Sequence, residues 1–176
     1  PQSIIWRPPL PQTLFAPVAL LPEGWARDLR LEIDEGRITS VTPNTSPRPG
    51  DNLLAERALI PAAANLHSHT FQRAMAGMTE RRGPSPDSFW TWRRLMYKFL
   101  DHLTPEQVEA IAAFAFVEML ETGFAAVAEF HYLHHQPGGH PYDNIAEMSQ
   151  RIAAAAGSVG IGLTLLPVLY TYGGAR

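Results

Sequence analysis

Three short apolar segments separated by stretches of helical period constrain this chain more than any other feature. The segments are Leu59-Ile60 running on to Asn65-Leu66, residues 124–130, and residues 161–170. Each is apolar at successive positions, as a strand covered on both faces requires. Between the first two, Phe89, Trp92, Met96 and Phe99 form one stripe behind a cap at Asp87 or Ser88. Thr104-Pro105-Glu106-Gln107 is a capping box with proline at the first helical position. Val108, Ile111, Ala115 and Met119 carry that helix to a stop at Gly123. Asp143 is expected to open a further helix through Ile145, Met148 and Ile152 that fades at Gly157. This order predicts an α/β fold with a parallel sheet. Polar residues gather where the strands end: His67 and His69, then Glu129, His131 and Tyr132, then Tyr170 to Tyr172. In an open sheet or a barrel alike, that edge is where ligands bind.

The beginning of the chain has another character. Ten of the 16 prolines precede residue 62. Leu29, Leu31 and Ile33 alternate with Arg30, Glu32 and Asp34, and Glu35-Gly36 turns the chain into a return strand at residues 38–41. Residues 14–21 make another apolar run, which Pro17 marks as an edge or irregular strand. Residues 43–49 read as a surface loop. We therefore divide the sequence into an N-terminal β segment, 1–57, and an α/β segment, 58–176.

Composition narrows the classes. The formal charge of −3 argues against a general nucleic-acid binder, which carries a basic face. With no cysteine there is neither a disulfide framework nor a thiolate metal site, so a metal must take His, Asp or Glu. No apolar run approaches the ~18 residues of a membrane span, and residues 1–11 lack the pattern of a signal peptide. A soluble, cytoplasmic protein without nucleic-acid or membrane partners is expected.

His67-Ser68-His69 is the strongest local signal. Residues i and i+2 of a strand project to one face, so both imidazoles can converge on one metal. A zinc ion accepts such nitrogens at about 2.0–2.1 Å and keeps a position open in catalytic sites. The plainer reading is two strand-end histidines satisfied by hydrogen bonds. Of His131, His134, His135 and His140, beside Pro137-Gly138-Gly139, most read as loop residues. His131 shares a face with Glu129 and is the one expected to line a pocket. Glu129 is expected either to line the pocket or to orient a histidine. Phe89, Trp90 and Trp92 have two readings, shaping a substrate cavity or packing a helix on the sheet, of which packing is preferred.

The run Leu-Ile-Pro-Ala-Ala-Ala-Asn-Leu-His-Ser-His (59–69) resembles the first barrel strand of the amidohydrolase superfamily. Within it, His-Ser-His-Thr-Phe-Gln-Arg-Ala-Met-Ala-Gly (67–77), Ser-Phe-Trp-Thr-Trp-Arg (88–93), Ala-Glu-Phe-His-Tyr-Leu-His-His (128–135) and Gly-Leu-Thr-Leu-Leu-Pro-Val-Leu-Tyr (162–170) resemble the formimidoylglutamate deiminases of histidine degradation. Pro61-Ala62 stands where members often carry Pro-Gly, a turn detail that leaves the histidine pair untouched.

The resemblance implies the N-terminal part of a (β/α)8 TIM-type barrel preceded by strands of a small β-sandwich domain. It implies one divalent metal ion, Zn2+ foremost, held by His67 and His69. It also implies substrate contacts at Gln72, Arg93 and Tyr132, where Gln72 can donate and accept and the Arg93 fork suits a carboxylate. The implied substrate is N-formimidoyl-L-glutamate, hydrolysed to N-formyl-L-glutamate and ammonia, and homodimers are common among such enzymes. The family's other metal ligands, a His and an Asp on later strands, and its Glu proton shuttle have no counterpart here, so no catalytic residue is assigned within this chain. The 176 residues are read as stopping after the third strand of a barrel that needs eight strands and typically about 250 residues. Two alternatives stay open: another deaminase or chlorohydrolase of the superfamily acting on a heterocycle, and a non-catalytic α/β binding domain.

Overall fold

The computed structural model describes residues 11–80 and 88–170. Asp87, one of the two expected helix caps, and Tyr172 lie outside the described residues. Two compact units divide between Pro61 and Ala62. This lies four residues beyond the boundary expected at 57/58, because the strand pair Ala58–Leu59 joins the N-terminal sheet.

The first unit is one five-stranded sheet. Strands β1 (Gln12–Leu21), β2 (Gly24–Asp34) and β3 (Arg37–Thr42) form an antiparallel meander, and β4 (Asn52–Leu53) and β5 (Ala58–Leu59) add parallel to β1. A second sandwich layer is not among the described residues. Leu31 lies opposite Leu14, and Leu29 opposite Ala16, so the alternation read from the sequence sets the buried side. The hairpin turns at Glu35-Gly36, both with positive φ. The exposed loop expected at residues 43–49 continues to Asp51, whose buried carboxylate accepts from Arg30 Nε at 3.0 Å.

Of the two readings of Pro17, an irregular strand holds, since the ladder to β2 pairs Ala16 with Leu29 and Val18 with Arg27 but skips Pro17, whereas an edge strand needs correcting. β1 is not an edge strand but lies inside the sheet, between β2 on one side and β4 and β5 on the other. Proline is tolerated there because β4 pairs with Leu14 and Phe15, and β5 with Val18 and Ala19. The missing N–H of Pro17 falls in the gap between the two short partners.

The second unit carries the expected α/β order. Strands β6 (Ala63–Ser68), β7 (Phe124–His131) and β8 (Gly162–Pro167) form a parallel sheet in the order β6-β7-β8. Helix α1 (Phe89–Leu100) starts on a Ser88 capping box completed by Thr91. Helix α2 (Pro105–Glu121) starts on the Thr104–Gln107 box, with Gly123 at φ 93° just beyond its end. Helix α3 (Glu147–Val159) departs from expectation at both ends. Asn144 Oδ1 accepts the Ala146 N–H in a turn, so the helix begins after Asn144 and leaves Ile145 78% exposed. It runs through Gly157 and stops at Gly160, which supplies the left-handed φ of 85°.

The core of this unit lies between the sheet and helices α2 and α3. Val108, Ala112 and Phe116 of α2 meet Ile152, Ala155 and Ala156 of α3, with Val127 of β7 beneath. Outside this contact, Arg151 donates to Glu147, Glu109 and Glu106 at 2.8, 3.0 and 3.1 Å, tying the two helices. Phe71, Met75 and Met96 extend the core toward the ends of β6 and β7.

Candidate active site

The parallel sheet delivers the polar residues to one edge. β6 ends at Ser68, and a short 3-10 turn, Thr70–Met75, follows directly. The pairing of β6 with β7 slips just before this point: Asn65 opposes Val127, whereas Ser68 opposes Glu129. Three residues of β6 therefore span two of β7, which is a bulge, and bulges re-aim side chains at strand ends. The Asn65 side chain takes the His67 N–H at 3.2 Å within it.

Across this bulge the two imidazoles meet. His67 Nε2 lies 3.0 Å from His69 Nε2. His69 Nδ1 lies 2.9 Å from the carbonyl oxygen of Phe130. A carbonyl can only accept, so Nδ1 carries the proton and Nε2 of the neutral ring presents a lone pair. Two nitrogens sharing a tetrahedral ion at 2.0–2.1 Å would stand about 3.3 Å apart. The observed pair is close to that separation and needs only a small opening. The donor set and its fixed tautomer thus fit a divalent ion, although a cluster of three or more metal-ligating side chains is absent among the described residues.

Beside His69 opens a cavity of about 620 Å³ whose wall includes Gln72, Arg93, Tyr97, Tyr132 and Tyr170. All three residues expected to contact substrate therefore share one cavity with one of the histidines. Gln72 Nε2 donates to the Tyr132 hydroxyl at 3.2 Å. Gln72 Oε1 is left to accept, while the Tyr132 O–H donates to Met96 Sδ, a weak acceptor, at 3.7 Å. Burial raises the Tyr132 pKa, partly offset by the bond from Gln72, so the phenol stays protonated. Arg93 donates to the Tyr97 hydroxyl at 3.0 Å and lies 5.3 Å from that ring and 5.8 Å from Trp90. Such stacking fixes the plane of the guanidinium and leaves its remaining N–H groups for an anion.

Three expectations change. His131 does not line the cavity; it is buried, 3% exposed, 5.3 Å from the His134 ring, and its Nε2 has no partner among the described residues. Burial, and secondarily His134, push its pKa down to about 4. On β7 it alternates with Phe130 and Tyr132, whose rings pack against His69 at 5.3 and 5.1 Å. His131 and Glu129 thus share the other face. Glu129 is 1% exposed and accepts from Thr70 N and Oγ1 at 2.7 and 2.8 Å. It grips the backbone beside His69 rather than lining the cavity. Phe89 and Trp92, read as helix packing, line the cavity, and Phe89 is 61% exposed at its mouth. Tyr97 went unnoticed in the sequence, although its i, i+4 spacing from Arg93 on one helix was a usable signal.

Similarity to known proteins agrees with the resemblance read from the sequence. A crystal structure of an amidohydrolase from Brucella melitensis matches 89% of this chain and 34% of its own, at 52% identity and a TM-score of 0.82. A zinc-bound adenosine deaminase from Xanthomonas campestris shares the fold at 18% identity, with a TM-score of 0.62 over 88% of this chain and 33% of its own. Residues 12–55 match the family described as formimidoylglutamate deiminase HutF, N-terminal domain. The formimidoylglutamate deiminase of Pseudomonas aeruginosa is 52% identical over 92% of this chain. The chain is thus similar to the N-terminal part of these proteins and spans about a third of their length.

Proposed function

We propose that this chain supplies the metal-holding pair and the substrate-recognition wall of an enzyme that hydrolyses N-formimidoyl-L-glutamate to N-formyl-L-glutamate and ammonia. The observation that carries the reading is the single cavity joining His69 to Gln72, Arg93 and Tyr132. His67 and His69 would hold one divalent ion, zinc foremost, through their Nε2 atoms. When bound, such an ion polarises a substrate atom and acidifies water.

The remaining chemistry belongs to the chain's own side chains. Arg93, braced by Tyr97, presents its free N–H groups to a substrate carboxylate. The Tyr132 hydroxyl, turned from the weak acceptor Met96 Sδ, would donate to substrate while Gln72 offers Oε1, a complementary pair for a group bearing both acceptor and N–H functions. In the net reaction water adds at the formimidoyl carbon and the bond to the departing nitrogen breaks, releasing ammonia. The strands β6, β7 and β8 would be the first three of a (β/α)8 barrel, with residues 1–57 contributing to a small β-sandwich. Histidine degradation in the cytoplasm is the setting this reading supports. No helix among the described residues is long and apolar enough to cross a membrane.

The test is ammonia release from N-formimidoyl-L-glutamate measured beside guanine and related heterocycles. The reading expects turnover of the acyclic dicarboxylate. Activity confined to the heterocycles would favour a different deaminase or chlorohydrolase and overturn it.

A further inference from the structure

The bulge at the end of β6 raises a physical difficulty. Where the pairing slips between Asn65 and Ser68, the ladder no longer dictates the direction of the following side chains. Yet His69 and Gln72, on either side of Thr70 and Phe71, must both face the cavity. Something beyond the ladder has to hold the segment.

Two consecutive residues of β7 meet this need. Phe130 accepts the His69 Nδ1–H through its carbonyl at 2.9 Å. Its neighbour Glu129 accepts both the N–H and the hydroxyl of Thr70 on a single carboxylate oxygen, at 2.7 and 2.8 Å. Thr70 is 2% exposed and Glu129 1%, so both bonds are shielded from water. A carboxylate acceptor in such surroundings makes short, strong hydrogen bonds. The N–H taken is one that the first turn of a 3-10 segment leaves without an internal partner.

We propose that Glu129 is a positioning residue: by clamping Thr70 it holds His69 against the Phe130 carbonyl that sets its tautomer, and fixes the start of the turn that carries Gln72. This rests on the reading that His69 is a metal ligand. Glu129 touches neither the metal position nor the cavity; its effect passes through Thr70. The clamp uses Oε1 alone; Oε2 of Glu129 is buried with no partner among the described residues.

Four variants grade the clamp. Thr70→Ser keeps both donors, Thr70→Val removes the hydroxyl alone, Glu129→Gln keeps an acceptor without the charge, and Glu129→Leu removes the acceptor. Two readouts are needed on the purified protein: the His69 ring tautomer by long-range 1H–15N NMR without metal, and the dissociation constant for Zn2+ or Co2+. Thr70→Ser should resemble the unmodified protein. Thr70→Val should mix the tautomers and weaken metal binding about tenfold, with Glu129→Gln between the two and Glu129→Leu losing up to about a hundredfold, the range seen when such supporting bonds are removed. If Glu129→Leu fails to fold, the Thr70 pair still decides the matter. An unchanged His69 tautomer in Thr70→Val overturns the proposal whether or not metal binds. A changed tautomer in a protein whose unmodified form binds no metal upholds the clamp and refutes the metal reading instead.

Discussion

Burial of His131 should make the protein lose stability in mild acid, and the size of the loss follows from its surroundings. The ring is 3% exposed, its Nε2 lacks a partner among the described residues, and His134 lies beside it. Its pKa falls to about 4 from an ordinary 6.5. Between those values the unfolded chain binds a proton that the folded chain refuses. Stability from this group is therefore fully present above about pH 6.5 and is lost as pH falls toward 4. A displacement of about 2.5 pH units corresponds to about 3 kcal/mol in full, and to about 2.5 kcal/mol between pH 7 and pH 4.5. Urea unfolding at half-unit intervals over that range, on the protein and on His131→Leu, isolates the contribution. Carboxylates whose pKa values are lowered in the fold, such as Glu118 beside Arg73, act in both proteins and cancel in the difference. The unmodified protein should lose about 2.5 kcal/mol more than the variant. Parallel profiles would refute the reasoning, because they would mean that the ring takes up its proton in the folded state.

Other perturbations test other parts of the structure. Arg93→Lys keeps the charge but loses the planar fork stacked beside Tyr97; KM for a dicarboxylate substrate should rise about ten- to a hundredfold, with a smaller change in kcat. Tyr97→Phe removes only the hydroxyl and should raise KM by a few-fold in the same assay. Phe116→Ala, at a fully buried position between α2 and α3, should cost about 3–5 kcal/mol in denaturant unfolding.

The parts legible in the sequence were those set by local rules. The Thr104–Gln107 box, the Glu35-Gly36 turn and the three apolar strands follow from short-range chemistry, and each appears in the structure. The parts that escaped depend on partners distant in sequence. Pro17 suits an internal strand only because two separate short strands flank its position, beginning 35 and 41 residues later at Asn52 and Ala58. The start of α3 moved because the Asn144 side chain closes a turn before the helix can form. His131 reads as a cavity residue, and Glu129 as either a cavity residue or a partner orienting a histidine, because strand alternation says which residues share a face, but not which face meets the helices. The candidate site was legible chiefly through motif resemblance. What resemblance could not supply was the bracing of Arg93 by Tyr97 and the clamp on Thr70, both of which are facts of geometry.

The central claim is that His67 and His69 share one ion at the edge of the cavity that recognises substrate. Anomalous X-ray scattering at the zinc edge, on crystals of the protein grown with Zn2+, tests it most directly. The account predicts a single strong peak at about 2.0–2.1 Å from both Nε2 atoms, with the His69 Nδ1 bond to Phe130 intact. A peak elsewhere, or none with the imidazoles still hydrogen-bonded to each other, would contradict it.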